Sequence, residues 1–187
     1  MPRGAGSPYS SLTIYRSTNI EENTMTQLRK LAAVVLASVA VTAHADAVRS
    51  EKNMSLELAN QIASAAIAAC AANGYNVAVT VVDRAGNVSA VQRADTAGPH
   101  TLGASQQKAF TSASAKNNTS AMLEASQKNP GAATLGNIPG FLLLGGGVPV
   151  KVGNEVIGAV GIGGAPGGHL DEQCAVAALD KVKDYLR

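Results

Sequence analysis

The chain has 187 residues, of which 46% are hydrophobic, 15% charged and 3% aromatic, with a formal net charge of +2. That length suits one domain. The charge is too small for a nucleic-acid binder, the apolar fraction too high for a disordered chain, and no apolar run reaches the ~18 residues that cross a bilayer.

Residues 1–24 are polar, rich in Ser, Thr and Asn, and lack apolar periodicity. They read as a disordered upstream extension, with translation expected to start at Met25. Residues 25–45 read as a secretory signal peptide. Met25 to Lys30 is a basic start, Leu31 to Val41 an apolar stretch, and Ala43-His44-Ala45 a small-x-small cleavage pattern. The other reading of this stretch is a buried Ala/Val helix. The expected mature domain is 46–187, periplasmic or secreted. The leader carries Arg3, Arg16, Arg29 and Lys30 against Glu21 and Glu22, so the mature part keeps 11 basic and 11 acidic residues of the total 15 and 13. Any anion binding must then come from local groups rather than from a field over the whole surface.

Within the mature part, 53–73 is a predicted helix with Ala59, Ile62, Ala63, Ala66, Ile67 and Cys70 on one face. Asn53 or Ser55 caps its start and Gly74 its end. The β-branched alternation of 76–82, the turn chemistry of 83–87 and the strand pattern of 88–93 predict a hairpin. Pro99 suits a helix start, so 100–117 and 119–129 are predicted helices, the second stopped by Pro130. From Gly131 to Gly168 there are 13 glycines in 38 residues, a density that excludes a long helix. Inside that stretch, 148–152 and 155–162 form a second hairpin around Gly153-Asn154, and 141–144 is a further strand candidate. The loop 163–168 leads into a last helix over 170–186. Hairpins in place of βαβ crossovers imply an α/β (α+β) fold with a mainly antiparallel sheet and helices packed on its faces.

Cys70 and Cys174 both fall on apolar helix faces; a disulfide and two buried free thiols are equally open. His100 follows Gly98-Pro99 and His169 follows Gly167-Gly168, each at a helix start where free N–H groups gather. Each imidazole suits a metal or a hydrogen bond, or is simply an exposed or capping histidine. The 163–168 loop lacks the pattern of a nucleotide-binding glycine loop and equally suits a tight strand-to-helix turn. Asp171-Glu172 is a poor acid/base pair, because helix neighbours diverge, and favours the helix dipole instead. Arg93, Asp95 and Lys108 form a polar pocket or, on spacing alone, a solvated face.

Several ordered pieces carry a resemblance. They are Val79 to Asp83 with Gly86 and Arg93; Ser105 to Ala113 around Lys108; Gly145-Gly146-Gly147-Val148-Pro149; Gly158 to Gly163; and Gly167-Gly168 with Asp171, Cys174 and Ala175. Together they resemble the GlcG/HbpS family, which includes the C-terminal domain of PduO-type adenosyltransferases, over 56–186. The resemblance implies a profilin-like three-layer α/β/α fold with about five strands, homo-oligomers that are often octamers, and haem as the cofactor in some members. It makes His169 and His100 the candidate haem-iron ligands. Lys108 and Arg93 become the candidate partners for propionates or a small carboxylic acid, with Gly167 and Gly168 beside them. The expectation is an exported haem-binding or haem-handling protein. The alternatives are an enzyme or accessory protein binding a small organic acid in an oxidation pathway, and a structural oligomer without ligand.

Overall fold

In a computed structural model that describes residues 47–187, the first helix, α1 (Leu56–Ala71), starts where Ser55 Oγ accepts the Leu58 N–H at 3.2 Å. That cap sets the start later than the periodicity suggested. Asn53, the other cap candidate, turns its Oδ1 to the backbone N–H of Arg84 at 2.9 Å and so ties the segment before α1 to the first hairpin. The extension at 1–24 and the signal-peptide segment 25–45 lie outside the described residues. The unit described below runs from Ser50 to Arg187.

The hairpin consists of β1 (Ala78–Asp83) and β2 (Val88–Arg93). Asp83 closes its turn by accepting the N–H groups of Ala85 and Asn87 on Oδ1. Next come α2 (His100–Ala115), α3 (Thr119–Lys128) and two single 3₁₀ turns, followed by β3 (Gly147–Val152), β4 (Glu155–Gly163) and α4 (Gly168–Lys181). The strands form one antiparallel sheet in the order β2-β1-β4-β3.

The sheet therefore has four strands where about five were expected. The missing one is 141–144. Its backbone is engaged by side chains rather than by a ladder: the Leu142 N–H donates to Thr111 Oγ1 at 2.8 Å, and Thr119 Oγ1 donates to the Leu144 carbonyl at 2.7 Å. With those groups satisfied by α2 and α3, nothing drives this segment to pair with β3.

Strand alternation sorts the core into two layers. Val79, Val81, Val148, Val150, Val160 and Ile162 face α1 and α4, meeting Ile62, Ala63, Ala66, Ala175 and Ala178. Val82 and Ala159 face Ala109 and Ala113 of α2 on the opposite side. The result is the expected α/β/α sandwich. On the α2 side the contact is close. A Cβ on Gly161 would lie 2.1 Å from the Ser105 carbonyl oxygen, so only glycine lets α2 settle there. Beside it, Thr80 Oγ1 and Ser105 Oγ share a buried hydrogen bond of 2.8 Å.

Cys70 and Cys174 are joined in a disulfide with Cα atoms 5.3 Å apart, stapling α1 to α4. Of the two readings open from the sequence, the structure takes the covalent one.

Candidate functional site

The glycine-rich segments converge on one buried ion pair. Lys108, from the middle of α2, donates from Nζ to Asp171 Oδ2 at 2.8 Å and to the Ile162 carbonyl at 2.8 Å. The Ala165 N–H donates to Asp171 Oδ1 at 3.0 Å. Lys108 is 1% and Asp171 2% exposed. Burial pushes the Asp171 carboxyl above its ordinary range, while Lys108 and the Ala165 N–H pull it back down. The 163–168 loop is thus held by the carboxylate at the foot of α4, and α2 is tied to both.

This corrects two expectations. Lys108 does not lie on a solvated face, and its ammonium is already bound inside the protein rather than open to a ligand. Asp171 does not merely complement the helix dipole; it is the internal partner of Lys108. Gly146 makes room for the pair. It sits at φ +119, and a Cβ there would come within 2.7 Å of Asp171 Cβ and 3.0 Å of Lys108 Nζ. Gly168 presses on Gly145 in the same place, with its Cβ position 2.7 Å from the Gly145 carbonyl oxygen. The signal in the sequence was the spacing of Ser105, Lys108 and Ser112, which puts the lysine on the buried side of α2.

The two histidines are exposed, each at the first turn of its helix, on opposite faces of the sheet. They share one local arrangement. Each ring folds back over the glycine two residues earlier. A Cβ on Gly98 would lie 2.8 Å from His100 Cε1, and a Cβ on Gly167 would lie 2.8 Å from His169 Cε1. The glycines seat the imidazoles.

Their surroundings differ. His169 borders an open groove of ≈ 410 Å³ along the outer face of α4, with Glu172, Val176 and Ala177 below it and Ser120 of α3 across from it. Residues 169, 172, 173, 176 and 177 recur at helical spacing, so they share that face. Glu172 was not singled out as a site residue. Its Oε1 accepts from Asn118 Nδ2 at 2.8 Å and from Ser120 Oγ at 2.9 Å, while its buried Oε2 has no partner among the described residues. The only hint in the sequence was its position three residues after His169. His100 instead starts α2 beside a loop that Arg93 straps, with Nη1 donating to the Ala97 carbonyl at 2.7 Å. Arg93 is exposed whereas Lys108 is buried, so the two do not line one polar pocket.

Among the described residues, no group of three or more His, Cys, Asp or Glu could hold a metal ion in a protein-only cage, and no helix is long and apolar enough to cross a membrane. What the His169 groove offers is a single accessible imidazole beside the exposed apolar surface of Val176. One imidazole is a donor that a haem iron would take from a protein, so His169 would be the residue to hold it.

Residues 54–180 match the family described as haem-degrading, HbpS-like proteins. The chain belongs to that family. Among its relatives is protein GlcG of Escherichia coli (strain K12), 38% identical over 109 residues, which are 56% of this chain and 80% of GlcG. The crystal structure of a double mutant of Streptomyces reticuli HbpS superposes with a TM-score of 0.69 at 37% identity, covering 76% of this chain and 95% of that one. The structure of a PduOC:heme complex shares the fold, with a TM-score of 0.62 at 23% identity over 68% of this chain and 94% of that one. The buried Lys108–Asp171 pair and its glycines thus form the internal frame of this HbpS-like chain, and the histidines stand outside that frame.

Proposed function

We propose that this protein is an exported haem-binding protein whose iron ligand is His169. The observation that carries the reading is the accessible imidazole of His169, seated by Gly167 in a groove where Val176 and Ala177 lie among the polar side chains of Ser120, Glu172, Gln173 and Asp180. Membership in a family described as haem-degrading gives that imidazole its natural partner. Bound haem would supply the redox and oxygen chemistry of its iron. The chain's own part would be to present the imidazole, with Val176 and Ala177 as the apolar part of the groove and Glu172 held in its lining through Asn118 and Ser120.

Export is supported by the leader pattern of residues 25–45 and by the disulfide, since disulfides persist in oxidising compartments. Self-association is supported by the edge strand β2, where Val88 and Val91 are each 47% exposed.

Titration of the purified domain with haemin tests the proposal. A saturable Soret shift at micromolar haem is expected, lost in His169→Ala and kept in His100→Ala. Loss in His100→Ala alone moves the site to the start of α2. No saturable shift in the wild type overturns the reading.

A further inference from the structure

A recess of ≈ 240 Å³ opens along the seam between α1 and α4, at the disulfide. From the α1 side it is walled by Asn73 and Tyr75, and from α4 by Gln173, Cys174 and Ala177, which recur at helical spacing and share one face. The α1 wall is fixed by the disulfide-bonded residue itself: the N–H groups of Asn73 and Tyr75 both donate to the Cys70 carbonyl at 3.0 Å. Asn73 Nδ2 donates to the Ala69 carbonyl at 2.9 Å.

The two halves of the disulfide stand differently to this opening. Cys70 is wholly buried in the core and does not line the recess, whereas Cys174 is part of its wall. Thiol–disulfide exchange depends on which sulfur an incoming thiolate can reach. Here that sulfur is the one on α4. The recess is smaller than the ~300–1,000 Å³ of sites for drug-sized ligands, so the incoming thiol is small. Among the described residues, no charged side chain lines it, and an ionised group would lose hydration there without gaining a partner. The Gln173 amide and the Tyr75 hydroxyl make no hydrogen bond with the described residues. They leave donors and acceptors for an amide.

We infer that Cys174 is a thiol-exchange site: the recess admits a small, uncharged, amide-bearing thiol, which Cys174 takes up as a mixed disulfide while Cys70 is released as a buried thiol. The incoming thiol sheds its proton to water and attacks Cys174 Sγ as the thiolate. A new S–S bond forms there, the bond to Cys70 breaks, and the Cys70 sulfur leaves with the electron pair and takes up a proton. One disulfide and one thiol give one mixed disulfide and one thiol, so no oxidant is consumed. Attack by Cys70 on Cys174 Sγ reverses the step and expels the small thiol. Gln173 and Ala177 line both this recess and the His169 groove, so a group attached at Cys174 bears on the ridge between the two cavities. The exchange itself does not depend on the haem proposal.

Two measurements test the inference. In the first, opening of the wild-type disulfide by dithiothreitol, a small neutral dithiol, is followed in native buffer by acid quench and mass. The rate is expected to rise in proportion to dithiothreitol and to exceed the rate of global unfolding. Ala177→Leu, which narrows the recess, slows opening by about tenfold or more with the melting temperature kept. In the second, the disulfide form of N-acetylcysteine amide is added to the single-cysteine variants. Folded Cys70→Ala is expected to gain one adduct, on Cys174, and to react more slowly with oxidised glutathione, which is larger and charged. Folded Cys174→Ala leaves Cys70 unmodified until denaturant is added. If the single-cysteine variants do not fold, the wild-type rates decide. A rate that levels off at that of unfolding, no slowing in Ala177→Leu, or an adduct on Cys70 in folded Cys174→Ala overturns the inference. Equal rates with oxidised glutathione overturn the assignment of a small uncharged thiol.

Discussion

Lys108 Nζ and Asp171 Oδ2 lie 2.8 Å apart in the interior, 63 positions apart in sequence, and join the middle of α2 to the first turn of α4. Two charges taken out of water are stable only as a pair. Removing one partner strands the other, at a cost of about 3–5 kcal/mol. Lys108→Met and Asp171→Leu are each expected to destabilise by that order in urea unfolding. The double variant is expected to lose much less than the sum of the singles. Additive losses would show that the pair is not coupled.

The same pair sets a pH dependence. Burial raises the Asp171 carboxyl above its ordinary range, against the pull of Lys108. The folded state therefore keeps this proton to higher pH than the unfolded chain does. The stability this group contributes is fully present below the unfolded carboxylate value, and it declines as pH rises through the raised folded value. The stability difference between wild type and Asp171→Asn should fall across that window and then level off. A carboxyl ¹³C titration of Asp171 should show its midpoint above that of exposed aspartates. A midpoint at or below them refutes the shift.

Gly146 tests the packing around the pair. At φ +119 an alanine is strained, and its Cβ would meet Asp171 Cβ and the Ile162 carbonyl, both at 2.7 Å. Gly146→Ala should cost more than about 2 kcal/mol, the backbone strain and the overpacking together. Gly153→Ala is the control: φ is +58 and nothing lies within 4 Å, so only the backbone term of about 1–2 kcal/mol remains. Equal losses at both sites would mean that contact with the ion pair contributes nothing.

Much of this frame was legible from patterns of near neighbours. The hairpins at 83–87 and 153–154 follow from turn residues between alternating valines, and the helix bounds from Ser55, Pro99 and Pro130. What failed to show was long-range. The apolar run 141–144 is a strand candidate by its local pattern, but Thr111 and Thr119, distant in sequence, claim its backbone. For Lys108 the spacing left a polar pocket and a solvated face open, because its partner Asp171 stands in another layer. Glu172 was passed over because its meaning comes from Asn118 and from Ser120 on α3. The histidines were legible as residues, but the glycine-seated geometry that presents them was not.

The disulfide between Cys70 and Cys174 spans 104 positions. Closing a loop of that length restricts the unfolded chain and is expected to contribute on the order of 4 kcal/mol. Unfolding by guanidinium with and without reductant measures it. The midpoint should fall sharply on reduction, and Cys70→Ala with Cys174→Ala should match the reduced wild type. A midpoint indifferent to reductant would show that the staple carries no stability.

Gly167→Ala isolates how His169 is presented. Gly167 is extended, with φ −155 and ψ 148, a conformation open to any residue. Alanine is therefore tolerated by the backbone dihedrals, and as a poorer N-cap of α4 than glycine it should cost about 0.5–1 kcal/mol. Its methyl, however, would take the space of the His169 ring, 2.8 Å from Cε1. The imidazole must swing away, so haemin affinity and the Soret position should both change in a protein that stays folded with only a small drop in melting temperature. Gly98→Ala makes the same intrusion on His100 and should leave the haemin titration unaltered. If Gly98→Ala perturbs the titration and Gly167→Ala does not, the ligand is His100 and the groove along α4 loses its assignment.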